Sequence, residues 1–117
     1  MGPERDEGLY LVDMRDAVER ILRYTSTGHA AFLADPMIQD AVIRNLEIMG
    51  EAVRKVSEAT RSAHPEIPWK QIAATRDRVI HGYFTVDLEI VWEIVETELP
   101  TLHQRLAALA PDGRSEA

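Results

Sequence analysis

Residues 35–62 read DPMIQDAVIRNLEIMGEAVRKVSEATRS. Asp35 followed by Pro36 is a helix start. The carboxylate can accept from the unpaired N–H groups of the first turn, and proline at the first helical position lacks an N–H that would have no partner there. Ile38, Val42, Met49, Val53 and Val56 then recur at helical spacing along one stripe. Ala41, Ile48, Ala52 and Ala59 widen that stripe. A single helix to about Ser62, central and packed from two sides, is therefore expected. Asn45 falls on the stripe between Val42 and Met49. If buried, its amide needs partners and would fix the register or brace a site; a partly exposed polar position fits as well.

Working outward, Leu11, Met14, Val18 and Ile21 form one stripe of an amphipathic helix from Gly8 to Tyr24. Thr25-Ser26-Thr27-Gly28 breaks it, and His29 to Ala34 is long enough for a turn or two. On the other side, Ala63 to Pro68 contains two prolines and reads as a connector. Trp69 to Ile80 reads as the next helix, which Gly82 lets the chain leave. Asp87 is placed to cap a last helix carrying Leu88, Val91, Val95, Leu99, Leu102, Leu106 and Leu109, with a kink expected at Pro100. Residues 1–7 are polar and expected to be disordered, residues 111–117 form a polar tail, and residues 8–110 make one helical domain. No strand alternation, repeat or low-complexity segment stands out. The expected fold is all-α, an up-and-down bundle of four to five helices. The two-sided central helix and the long leucine stripe offer more apolar surface than one small bundle covers, so a symmetric homodimer is expected.

Composition narrows the function. The chain has 117 residues and no cysteine, which excludes disulfides, thiolate nucleophiles and cysteine–zinc sites. No apolar run approaches the ~20 residues of a membrane span, and the first residues have no signal-peptide pattern. A cytoplasmic protein with no membrane contact is expected. Thirteen basic and twenty acidic residues give a net charge of −7. That counts against a broad nucleic-acid-binding surface, because phosphate affinity comes mostly from Lys and Arg. Any RNA contact must be local, and a basic protein partner would suit the charge. His29, His64 and His103 show no metal-ligand spacing, so neither a metal nor another cofactor is expected. No glycine loop of the phosphate-cradling kind is present.

Chemistry collects in residues 75–84, Thr75-Arg76-Asp77-Arg78-Val79-Ile80-His81-Gly82-Tyr83-Phe84. RNA supplies its own nucleophile, since the ribose 2′-OH can attack the adjacent phosphorus. The protein must then move protons and steady the charged phosphorane. Histidine as a residue type titrates near neutrality, so His81 can take either proton role. Arg76 stays charged and offers a planar fork to phosphate oxygens. Tyr83 can stack on a base or donate a hydrogen bond, but with a pKa of ~10 it is a poor base at pH 7. On an ideal helix Arg76 and His81 lie about 140° apart, and a two-fold axis beside the helix would bring two copies of the window to one cleft. Asp77, four residues before His81, would share its face and could orient the imidazole. The direction of Arg78 is open. Each residue also has an ordinary role as a cap, a solvated face or the edge of the core, and spacing alone does not decide.

The order R-x-x-x-x-H-x-Y of Arg76, His81 and Tyr83 resembles the signature of the HEPN superfamily, and within it the HepT-like toxins. Gln39 to Ala52 is similar to that family's long helix, Pro65 to Trp69 to its connector, and Val86 to Trp92 to the entry of its last helix. The likeness spans Leu9 to Leu109. It implies a helical homodimer with the signature in a cleft between subunits, acting as a metal-independent endoribonuclease toxin of a type VII toxin–antitoxin pair. By position, Arg76 and His81 are the implied catalytic pair and Asp77 supports them, where the family often has asparagine. The implied partners are an RNA substrate and a minimal nucleotidyltransferase antitoxin, which moves AMP from ATP onto Tyr83 and so silences the toxin. The alternative is a catalytically inactive HEPN binding module that docks the transferase or a nucleotide. A purely structural helical dimer would leave the three side chains in unrelated surroundings.

Overall fold

A computed structural model describes residues 6–82 and 85–110. Helix α1 (Glu7–Tyr24) starts one residue earlier than its apolar stripe requires. Asp6 caps it, accepting from the Gly8 N–H at 2.8 Å. Glu7 accepts from the Ser57 backbone N–H and, at 2.8 Å, from the Thr60 hydroxyl. These bonds, the first above all, hold the Glu7 carboxyl below its ordinary pKa. Leu11, Met14, Val18 and Ile21 are buried, together with Val12 and Ala17. The Thr25 hydroxyl closes the helix end on the Ile21 carbonyl at 2.8 Å. Gly28, at φ +103°, takes a backbone conformation that side chains resist, and the chain enters α2 (His29–Ala34).

Helix α3 (Pro36–Val53) opens as expected, with Asp35 accepting from Met37 N at 2.9 Å. It buries Val42, Asn45, Leu46, Met49, Ala52 and Val53. α1 packs along it, and α5 and α6 meet it as well, so it is packed from two sides. Asn45 is 5% exposed, and both its side-chain polar atoms have partners. Its Oδ1 accepts from Arg20 Nε and its Nδ2 donates to the Ala41 carbonyl, both at 2.8 Å. The amide is thus a buried link between α1 and α3.

α3 does not reach Ser62. The Lys55 and Val56 N–H groups fold back onto the Ala52 and Val53 carbonyls, which tightens the last turn. Ser57 then caps a separate short helix, α4 (Glu58–Ala63), its Oγ accepting from Thr60 N at 3.1 Å. A serine that can bond the backbone locally competes with helix propagation. The bend keeps Val56 buried at 2% exposure, and Glu7 takes the Ser57 N–H it frees. The connector is stapled by Trp69, whose indole N–H donates to the carbonyls of His64 at 2.9 Å and Arg61 at 3.1 Å.

The helix expected over Trp69–Ile80 is also two, α5 (Trp69–Ala73) and α6 (Thr75–Val79), with Ala74 off the helical path at φ −94°, ψ 6°. Buried Thr75 donates to the Gln71 carbonyl at 3.0 Å, a back-bond that bends helices. Beyond Val79 lies an antiparallel pair, β1 (Ile80–His81) and β2 (Thr85–Val86), in the register Ile80↔Val86 and His81↔Thr85. Strands of two residues carry no alternation to read, so the expectation of no strand is corrected here. Gly82, at φ +63°, supplies the left-handed turn out of β1.

Asp87 caps α7 (Leu88–Glu93), accepting from Ile90 N at 3.1 Å. Just before Pro100, α7 widens into a π turn, Ile94–Glu98, and the chain then continues as α8 (Leu99–Leu109). Pro100 directly follows the π turn, whose wider bonding breaks the regular ladder at the point where the proline lacks an N–H. Leu99, Leu102 and Leu106 are 1%, 5% and 0% exposed, and α8 packs against this chain's own α1. The middle of the leucine stripe is therefore covered within one chain, while Leu88 and Leu109 at its ends are partly buried. The result is an all-α bundle. Among the described residues no helix is long and apolar enough to cross a membrane.

Candidate functional site

Helix α6 is anchored by Thr75 and Val79, both buried and one turn apart. That anchoring turns Arg76 and Asp77 outward, where both are exposed. His81 is also exposed, on β1. Because α6 stops at Val79, the ideal-helix angle between Arg76 and His81 does not apply, and neither does the shared helical face of Asp77 and His81. Tyr83 lies outside the described residues.

The His81 ring is oriented by the backbone. Its Nε2 stands 3.2 Å from the Arg78 carbonyl oxygen. A carbonyl only accepts, so in this contact Nε2 donates, and Nδ1 is the ring nitrogen it leaves unengaged. Asp77 makes no hydrogen bond or ion pair among the described residues, and the orienting contact expected of it is made by that carbonyl.

Arg78 is partly buried and reaches toward the π turn. Its Nη1 and Nη2 donate to Glu98 Oε1 and Oε2 at 3.0 and 2.6 Å. This two-toothed pair, 30% and 32% exposed, ties the last turn of α6 to the last helical rod. The Glu98 hydrogen bonds raise the Arg78 pKa above its ordinary value. The charge is spent on Glu98, so Arg78 adds little free positive potential to the site. The pair walls a cavity of about 250 Å³ with Thr75, Thr97 and Arg105.

Arg76 faces α3 across a hollow of about 70 Å³, which it lines with Ala73, Leu46, Glu47, Gly50, Glu51 and Arg54. No hydrogen bond joins Arg76 to His81. The structure sets the arginine and the histidine on consecutive segments, the first against α3 and the second against the end of α6.

The other histidines are engaged elsewhere. His29 bonds Glu89 at 3.0 Å and stacks on Trp92 with ring centroids 5.1 Å apart. His103 bonds Glu19 at 2.9 Å, and His64 is 3.5 Å from Glu66. Among the described residues no three His, Asp or Glu side chains group so as to hold a metal ion. Glu98 was missed by sequence reasoning, since nothing links positions 78 and 98 before the fold is known. Glu47, Glu51 and Arg54 were missed too. Their four- and three-residue spacing is legible as one polar face of α3, but the helix that face meets is not.

A family model described as "Ribonuclease HepT-like" matches residues 14–109. A protein named "Probable ribonuclease HepT" from Thermococcus cleftensis is 41% identical over 101 residues, covering 86% of this chain and 92% of that one. A "Putative RNase" of Methanocaldococcus jannaschii is 35% identical over 115 residues, 97% of this chain and 95% of that one. Another, from Caldanaerobacter subterraneus subsp. tengcongensis, is 43% identical over 75 residues, 64% of this chain and 67% of that one. No solved structure gives a significant match.

Proposed function

Because this chain belongs to the HepT-like ribonuclease family, we propose that it is a metal-independent endoribonuclease toxin that cuts RNA with Arg76 and His81. The observation that supports this most is the state of the His81 ring. It is exposed, and its Nε2 stands at the Arg78 carbonyl, so Nδ1 is the ring nitrogen that this contact leaves available. His81 Nδ1 takes the 2′-OH proton, O2′ bonds to phosphorus, and the bond from phosphorus to O5′ breaks. The leaving O5′ takes a proton, giving a 2′,3′-cyclic phosphate and a 5′-hydroxyl end. A homodimer with its axis beside α6 would present two imidazoles to one phosphate, one as base and one as acid. Arg76 offsets the charge that builds on the phosphorane. Proton transfer from a positioned group is worth about 10² to 10⁴ in rate.

Silencing follows the same chemistry. In this proposal a nucleotidyltransferase antitoxin moves AMP from ATP to the Tyr83 hydroxyl. The modification adds a phosphodiester charge and a purine two residues from His81, where they compete with RNA for Arg76. The setting is the cytoplasm, where RNA and ATP are both at hand. The net charge of −7 favours a second reading, a HEPN module that docks the transferase or a nucleotide and cuts nothing.

Growth on induction tests the proposal. Wild type is expected to arrest cells, and H81A to leave them growing while keeping its helical circular dichroism. Co-expression with the candidate transferase is expected to add AMP mass at Tyr83 and to restore growth. An H81A variant as toxic as wild type removes the catalytic assignment.

A further inference from the structure

We propose that the hollow between α3 and α6 seats the ribose–phosphate backbone of the RNA. Arg54 is then a second phosphate-binding group beside Arg76, and Glu47 and Glu51 accept from ribose hydroxyls. This rests on the nuclease reading for its substrate, but on separate residues. Drug-sized pockets run from ~300 Å³ upward. At about 70 Å³, this hollow is a subsite for a small polar group and not for a whole base.

Its lining leaves its charges open to a ligand. Arg78–Glu98, Arg15–Asp16 and Arg61–Glu58 are paired within the fold. Around this hollow stand two guanidinium and two carboxylate groups, and none of the four makes an ion pair or side-chain hydrogen bond among the described residues. The arginines come from two elements, Arg76 from α6 and Arg54 from the C-terminal end of α3. A cation at a helix C-terminus is favoured by the helix dipole alone, but that does not explain why Arg54 shares a hollow with Arg76.

A ligand that uses all four groups must offer both acceptors and donors. Inorganic phosphate offers little for the carboxylates, and DNA offers phosphate oxygens without 2′-hydroxyls. A ribonucleotide unit offers non-bridging oxygens to the guanidinium forks and a 2′-OH to a carboxylate. With DNA the same carboxylates face phosphate with nothing to accept, so the mixed lining selects against it. Gly50 forms part of the wall, and a methyl there would meet only the Ile72 carbonyl at 3.7 Å, an ordinary contact.

Binding of a short single-stranded RNA and of its 2′-deoxy counterpart to the H81A protein, over a range of salt, tests this. R54A in that background is expected to weaken RNA binding about tenfold or more and to reduce the log–log salt slope by about 0.7. E51A or E47A is expected to raise DNA affinity and shrink the preference for RNA. G50A is expected to melt higher, since alanine favours a helix over glycine, yet to bind RNA more weakly by narrowing the hollow. Unchanged affinity and salt slope in R54A and G50A overturn the proposal, as does H81A protein that binds no RNA. Cleavage by wild type against H81A is read separately, so failure of the nuclease reading does not decide the hollow.

Discussion

Replacing Arg78 and Glu98 singly and together shows what the two-toothed pair does. Fully exposed ion pairs contribute roughly 0.2–1 kcal/mol, and removing one partner of a buried pair costs roughly 3–5 kcal/mol. This pair is about two-thirds covered, with both oxygens engaged at 3.0 and 2.6 Å. It falls between those limits, so R78A and E98A should each cost about 1.5–2 kcal/mol and the double variant about 2–2.5. The coupling is then about 1–1.5 kcal/mol, read from urea denaturation as a double-mutant cycle. Burial limits screening, so most of it should survive in 1 M salt. The pair also holds the turn whose carbonyl meets His81 Nε2. RNA cleavage should therefore fall in either single variant and fall little further in the double. Costs that add within about 0.3–0.5 kcal/mol, with cleavage losses that multiply, would refute a pair acting as one clamp.

Three further outcomes follow from the fold. N45A should cost about 1–3 kcal/mol, because it strips a buried partner from Arg20 Nε and another from the Ala41 carbonyl; thermal melts check it. E7Q should be less stable than wild type at neutral pH. The Glu7 carboxyl is depressed by its bonds to Ser57 and Thr60, so its contribution is present above the unfolded pKa of ~4.3 and lost as pH falls through the lower folded value. The two melting curves should converge in acid. P100A should gain less than the ~3 kcal/mol of a proline in a regular helix, since the π turn just before it already breaks the regular bonding; a gain near that value would contradict this.

The long-range plan was legible because burial stripes at helical spacing announce themselves. Leu11 to Ile21, Val42 to Val53 and Leu99 to Leu106 are all buried where their periodicity puts them. The breaks were not legible. Ser57 and Thr75 end or bend helices by bonding to nearby backbone, and the same residues inside a longer helix would leave the sequence pattern unchanged. The two-residue strands were below the length at which alternation exists. At the site, type and spacing singled out Arg76 and His81 as candidates, and the family resemblance gave them their implied roles. The contact that orients His81 was not legible, because it comes from a main-chain carbonyl, which every residue carries. Arg54 and Glu51 escaped because their meaning depends on which helix faces α3.

The most direct test is cleavage of single-stranded RNA by the purified protein in excess chelator, with the product ends identified. Wild type is predicted to leave 2′,3′-cyclic phosphate and 5′-hydroxyl ends, and H81A to be slower by about 10² or more. Cleavage by H81A at the wild-type rate, or cleavage that the chelator abolishes, would contradict an imidazole-driven, metal-independent site.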